Sequence, residues 1–224
     1  VRGIMLRHFG VNIRENEDGL KLTRENYFKK SNISSFSVKF SKDIYADETG
    51  RTYNDEWCEN QLRDCLRNYD LNIEFFSLLN HDEFETELIQ FMKRNQQFKE
   101  VYDLNTYQKK SGYYIMILDE YCQVYIGTTE DIKRRILNHW TKKNPFDRLL
   151  FPMGNVDSSI ISIDSFRAFD TTRIFAFPTI NTYDNENIYI NEFSPQYVCN
   201  RMAGGKIPGG LIQAIAMMKK RKLG

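Results

Sequence analysis

The chain reads as α+β: a small antiparallel sheet flanked by helices in the C-terminal half, preceded by a second α+β unit. Three observations predict this. Residues 113–118 and 123–126 are aromatic and β-branched runs separated by the polar turn Asp119-Glu120-Tyr121-Cys122, the pattern of a hairpin. Ile132, Ile136 and Trp140 recur at helical spacing directly behind it. In residues 54–69 and again in 80–92, apolar side chains repeat with the period of amphipathic helices.

Taken in order, residues 1–30 mix charge with Met5, Leu6, Phe9, Val11 and Ile13 and carry a strand, with His8 a surface or core-edge side chain. Phe36, Val38 and Phe40 alternate with Ser35, Ser37 and Lys39, the period of a half-buried strand, and residues 44–53 read as a hairpin turning at 47–50. Asn54 caps a helix to Tyr69 that sets Trp57, Gln61, Leu62, Cys65, Leu66 and Tyr69 on one side. Residues 73–79 read as a buried strand. Asn80, with Glu83 three residues on, starts another helix carrying Phe84, Leu88, Ile89, Phe91 and Met92, while Glu83, Glu85 and Glu87 form a solvated acidic face. The polar stretch 101–110 puts a domain boundary near residue 108, dividing the chain into 1–108 and 109–224.

In the second half, Gly112 precedes the hairpin and Gly127 follows it, where close backbone approach or a positive φ suits glycine. Thr128-Thr129-Glu130-Asp131 offers a hydroxyl cap to the helix behind. Residues 158–163 and 173–177 read as a further strand pair. Asp184 or Asn185 caps a helix that buries Ile188, Tyr189 and Phe193 and ends before Pro195. Gly204-Gly205 and Gly209-Gly210 bracket a loop around Lys206, followed by an apolar helix at 211–218 and the basic run Lys219-Lys220-Arg221-Lys222.

Composition narrows the function. With 31 Lys+Arg against 30 Asp+Glu the net charge is +1, so any nucleic-acid site is a local patch, not a global field. Cys58, Cys65, Cys122 and Cys199 form no C-x-x-C pair, and three histidines are too few for the usual structural zinc patterns. Cys58 and Cys65, on one helix, are core thiols. The cysteine usage, with no long apolar run, predicts a cytoplasmic protein without a membrane span.

The polar residues of the hairpin and its helix carry the functional signal. Arg135 and His139, four apart, share a helix face, and Tyr114 and Tyr125 lie near the outer ends of the two strands. An arginine, a histidine and two phenols can therefore converge. The ordered set Gly112-Tyr113-Tyr114, Tyr125-Ile126-Gly127 and Arg135-x-x-x-His139 resembles the signature of the GIY-YIG nuclease domain, with Tyr113 where isoleucine is usual. Glu186-x-x-x-Ile190, Pro195 and Asn200 are similar to that family's metal-binding glutamate, later proline and late asparagine.

The resemblance implies a metal-dependent endonuclease acting on DNA, with RNA left open, whose catalytic residues are Tyr114, Tyr125, Arg135, His139, Glu186 and Asn200. Glu186 would bind one Mg²⁺ or Mn²⁺, since a lone carboxylate suits a hard cation that keeps several waters. Arg135 would hold the scissile phosphate bidentately. Tyr114 or Tyr125 would activate water, its phenol lowered by the guanidinium or by metal-bound hydroxide. His139 would relay a proton or hold a tyrosine, and Asn200 would support the phosphate or the glutamate. Arg134, Lys142, Lys143 and Lys206 are the candidate phosphate contacts. Arg148, Arg167 and Arg173, interleaved with Trp140, Phe146, Phe151, Phe166 and Phe169, either follow the backbone or decorate core aromatics. Restriction or defence, mobile-element cleavage and repair are all open as contexts, and symmetrical double-strand cutting would call for a homodimer. Thr128 and Thr129 follow Gly127 where family members often carry a lysine or arginine, which keeps open a second class of function: a non-catalytic nucleic-acid-binding or assembly module with the same fold.

Overall fold

Four strands form the sheet that carries the hairpin: β3 (Lys99–Glu100), β4 (Gly112–Leu118), β5 (Gln123–Thr129) and β6 (Arg173–Pro178), in the order β3-β6-β4-β5 and antiparallel throughout. The protein is seen as a computed structural model describing residues 5–15, 19–31, 55–142, 144, 146, 149–152, 154–180 and 185–201. The strand and hairpin expected within 35–53, everything expected past 201, and Lys143, Arg148 and Lys206 lie outside the described residues. The remaining elements are β1 (Met5–His8), β2 (Val11–Arg14), α1 (Arg24–Ser31), α2 (Asp55–Ser77), α3 (His81–Arg94), α4 (Ile132–Thr141) and α5 (Glu186–Asn191). The class is α+β, with small antiparallel sheets and helices.

All seven residues of β4 are buried, because helices cover both faces of the sheet. The period-2 alternation divides them cleanly. Tyr114, Met116 and Leu118 face a core shared with Ile132, Ile136 and Trp140 of α4 and Cys58, Cys65, Tyr69 and Phe76 of α2. Tyr113, Ile115 and Ile117, with Val124 and Ile126 of β5, face Phe84, Leu88 and Phe91 of α3 and Tyr189 and Ile190 of α5.

The expected strand at 73–79 is instead the last part of α2, which runs unbroken to Ser77. The run Ile73-Glu74-Phe75-Phe76 looks strand-like alone, but Cys65, Tyr69, Asn72 and Phe76 are all buried at helical spacing, and that longer period wins. Residues 158–162 are irregular, whereas 173–178 form β6 as the pattern predicts. Within α5 the buried positions are Glu186, Tyr189 and Ile190, with Phe193 beyond, so the stripe leaves out Ile188, which is 57% exposed.

Caps follow local chemistry. The Asn80 side chain accepts from the backbone N–H of Asp82 and Glu83. At α4 the cap is the Asp131 carboxylate, which accepts from Arg134 N–H, while the Thr129 hydroxyl serves the Asp131 N–H. A carboxylate is the stronger acceptor there and also faces the positive end of the helix dipole.

Residues on both sides of position 108 build the same units. β3 pairs with β6, α3 packs on β4, and the turn of the β1–β2 hairpin docks on later elements through His8 Nε2 to Thr171 O at 2.9 Å and Leu104 N–H to Phe9 O at 2.9 Å. Asp170, buried, ties in the segment before α1: its carboxylate accepts from the N–H of Leu22 and Arg167 and from the Tyr121 hydroxyl.

Candidate active site

The register of β4 on β5 sets the geometry. Tyr114 is opposite Gly127 and Met116 is opposite Tyr125, so the two tyrosines are diagonal neighbours on one face, with ring centroids 6.2 Å apart. Glycine at 127 makes room for this: a Cβ there would stand 2.5 Å from Tyr114 Cζ. Gly112 serves the strand's other neighbour. Its φ is +150°, and a Cβ would stand 2.8 Å from Pro178 Cα on β6.

Helix α4 crosses this face. Ile132, Ile136 and Trp140 fix it in the core, and the same packing aims the neighbouring stripe, Arg135 and His139, at the phenols. His139 is buried, with Nε2 2.8 Å from Tyr114 Oη and its ring 5.1 Å from the Tyr125 ring in an edge-on arrangement. The Arg135 guanidinium acts electrostatically on both phenols and interacts with the Tyr114 hydroxyl.

Glu186 begins α5 on the opposite side of the sheet, yet it is buried and its carboxylate acts electrostatically on both Tyr114 and Tyr125. β5 is an edge strand of the sheet. That edge is closed by the chain after α5: Val198 bridges Val124, Cys199 N–H donates to Val124 O, and Asn200 pairs with Ile126 through both amide atoms. Its Oδ1 accepts from Ile126 N–H at 3.1 Å and its Nδ2 donates to Ile126 O at 2.7 Å. Asn200 thus imitates a paired backbone residue. These bonds hold the strand that bears Tyr125.

One residue here was not singled out from sequence. Asp164, in the short turn at Ile163–Ser165, places Oδ1 2.5 Å from His139 Nδ1 and accepts from Lys142 Nζ on Oδ2 at 2.8 Å. A lone carboxylate in the otherwise apolar run Ile160-Ile161-Ser162-Ile163-Asp164-Ser165-Phe166 was the available signal, since a buried acid needs a partner.

The electrostatics follow from burial against neighbours. Burial pushes the Tyr125 phenol up to about 12 and Tyr114 well above its ordinary value, outweighing the opposing pull of Arg135 on each. Both are therefore hydroxyls at neutral pH, and the guanidinium does not by itself produce the phenolate that water activation by a tyrosine would need. Burial lowers His139 below 6.5 against the opposing pull of Asp164. Burial would raise Asp164, but the Nδ1–H donor of His139 and the Lys142 ammonium outweigh it and hold the carboxyl at about 2.

The candidate phosphate contacts divide. Arg134 is exposed on α4, and Lys142 is half-exposed with its ammonium on Asp164. Arg173 is committed to Asp119 and Glu85, and Arg167 is buried with Nη1 on backbone carbonyls. Trp140, Phe146 and Phe166 are core residues.

Among the described residues, no three His, Cys, Asp or Glu side chains cluster as a metal cage. With Asp164 committed to His139 and Lys142, Glu186 is the carboxylate near the tyrosines that could hold a hard divalent cation. No described helix is long and apolar enough to cross a membrane. Comparison of the chain with protein-family models, with curated proteins and with solved structures returns no match.

Proposed function

We propose that the chain is a metal-dependent phosphodiesterase of the GIY-YIG type that hydrolyses DNA. The single observation that carries this reading is that Tyr114 and Tyr125, diagonal neighbours on β4 and β5, both feel the charges of Arg135 on α4 and Glu186 on α5. A buried tyrosine pair needs no arginine or glutamate for packing. Hydrolysis of a phosphodiester needs a positioned water, neutralisation of the non-bridging oxygens and an acid to hold a divalent ion.

In this reading Arg135 takes the non-bridging oxygens of the scissile phosphate in its planar fork, and its contact with Tyr114 fixes that oxygen beside the phosphorus. Glu186 would hold Mg²⁺ or Mn²⁺, which would supply charge stabilisation for the phosphoryl transfer. Tyr114, hydrogen-bonded to His139, is better placed than Tyr125 to receive the proton of the attacking water. Lys142 and Arg134 flank the site as contacts for the neighbouring backbone. Tyr125 and Asn200 keep the edge strand and the Tyr114 ring in place.

The test is incubation of supercoiled plasmid with the full chain and Mg²⁺ or Mn²⁺. Nicked or linear product that requires the metal and disappears with chelator is the expected result. An end-labelled RNA in parallel distinguishes the substrate classes. Binding without product under either metal would overturn the reading in favour of a non-catalytic module.

A further inference from the structure

We infer that Asp164 is a positioning residue that completes an Asp164–His139–Tyr114 chain, so that Tyr114 takes a proton from water while passing its own to His139. The inference rests on the nuclease reading for its chemistry and on the geometry of three buried side chains for its parts.

Ionising a buried phenol is costly, since burial disfavours the charged form. The hydrogen bonds offer another route. Asp164 Oδ1, ionised, can only accept, so the 2.5 Å contact places the proton of His139 on Nδ1. Nε2 is then a lone-pair acceptor, and at 2.8 Å it takes the Tyr114 O–H. The phenol oxygen has two acceptor sites, and the one that Arg135 does not occupy is the one that takes a further proton. Lys142 on Oδ2 fixes the carboxylate plane, and Ser162 Oγ accepts from the Asp164 N–H at 3.2 Å, so the acid is held from two sides.

The step balances as follows. An O–H bond of water breaks and its proton goes to Tyr114 Oη. The Tyr114 proton moves to His139 Nε2, and the electron pair left on the water oxygen forms the new P–O bond. The old P–O bond breaks with its pair on the leaving oxygen, which takes a proton from solvent. His139 ends as an imidazolium with Nδ1–H still on Asp164, then returns its proton to solvent. No phenolate forms at any point, and Asp164 stays ionised throughout. The groups facing His139 are Tyr114 from β4, Tyr125 from β5, Arg135 and Lys142 from α4 and its end, and Asp164. The two cations oppose the imidazolium and only Asp164 favours it, which is why the acid matters.

The experiment compares wild type with Asp164→Asn and Asp164→Glu by ¹⁵N NMR of the imidazole and by cleavage across pH. Only three histidines are present, and a His139→Gln variant assigns the resonance. The wild type is expected to show the Nδ1–H tautomer with a strongly deshielded proton, and Asp164→Asn to lose it. Cleavage should fall about a hundredfold or more in kcat with KM nearly unchanged, the size of loss seen when a transition-state partner is removed, and Asp164→Glu should recover part of it with a displaced acidic limb. An Nε2–H tautomer in the wild type overturns the inference, as does Asp164→Asn cleaving within threefold of wild type. If wild type shows the Nδ1–H tautomer but cleaves nothing, the nuclease reading and the relay fail together while the hydrogen-bond chain stands. If Asp164→Asn does not fold, Asp164→Glu carries the comparison, and a rate and acidic limb identical to wild type there would overturn the inference.

Discussion

The ring of Tyr114 lies directly across the backbone of Gly127, its partner in the hairpin register, with no room for a Cβ between them. The two ends of the hairpin motif are therefore one steric unit: the glycine is what lets the phenol reach His139.

Gly127→Ala should push the Tyr114 ring out of line with His139. Overfilling a packed site typically costs about 1–3 kcal/mol, so denaturant midpoints should fall while the fold persists. Cleavage should drop far more than stability. A variant with both unchanged would show that the Tyr114 ring can move without consequence.

Arg135→Ala should cost about 3–4 kcal/mol in kcat/KM, the range for losing one donor to developing charge. Arg135→Lys should recover only part of this, since an ammonium cannot span two oxygens in plane. Single-turnover rates at saturating metal make the comparison. Equal rates for Lys and Arg would argue that only charge matters at this position.

The pH dependence has a definite sign. His139 is neutral when folded, its pKa below 6.5 through burial. A folded pKa lower than the unfolded one contributes stability that is complete above about 6.5 and is lost as pH falls through the folded value. Asp164, held at about 2 against 3.8 unfolded, contributes in the same sense at lower pH, between those two values. Unfolding free energy should therefore decline from pH 7 towards pH 5 with a component that His139→Asn removes. Cleavage should fall on the same acidic side, since the neutral imidazole is the proton acceptor. A rate that rises with acidification would contradict this protonation state.

Lys142→Met tests the phosphate contact. Loss of one counterion-releasing contact should make the dependence of log K on log salt shallower by about 0.9 for duplex DNA. Fluorescence anisotropy from low to moderate salt measures it. An unchanged slope would assign Lys142 wholly to Asp164.

The parts of this structure legible in the sequence are those decided by short-range pattern. The hairpin, α4, β6 and the Asn80 cap follow from alternation, helical spacing and one capping amide. The hairpin glycines and the Arg135–His139 spacing pointed to the same face that the structure assembles. Residues 73–79 misled because Ile73, Phe75 and Phe76 have strand-like character locally, while the burial of Tyr69, Asn72 and Phe76 against the loop at 156–161 and Tyr121 is tertiary. Ile188 was assigned inward by hydrophobicity alone, although Glu186, Tyr189, Ile190 and Phe193 define the buried side. Asp164 stayed hidden because nothing near it in sequence carries its partners: His139 is 25 residues away and the turn between them has no regular period. Asn200 was placed in the site, but its use of both amide atoms on Ile126 depends on how the chain returns to the edge of β5.

Whether Glu186 holds a catalytic metal is decided by cleavage assays on Glu186→Ala beside wild type, with circular dichroism and thermal melts run on both. Product from wild type with Mg²⁺, and none from a folded Glu186→Ala at any metal concentration, is the result expected of a one-carboxylate phosphodiesterase. Equal cleavage by the two proteins, or a well-folded wild type that leaves plasmid intact with both Mg²⁺ and Mn²⁺, would contradict it.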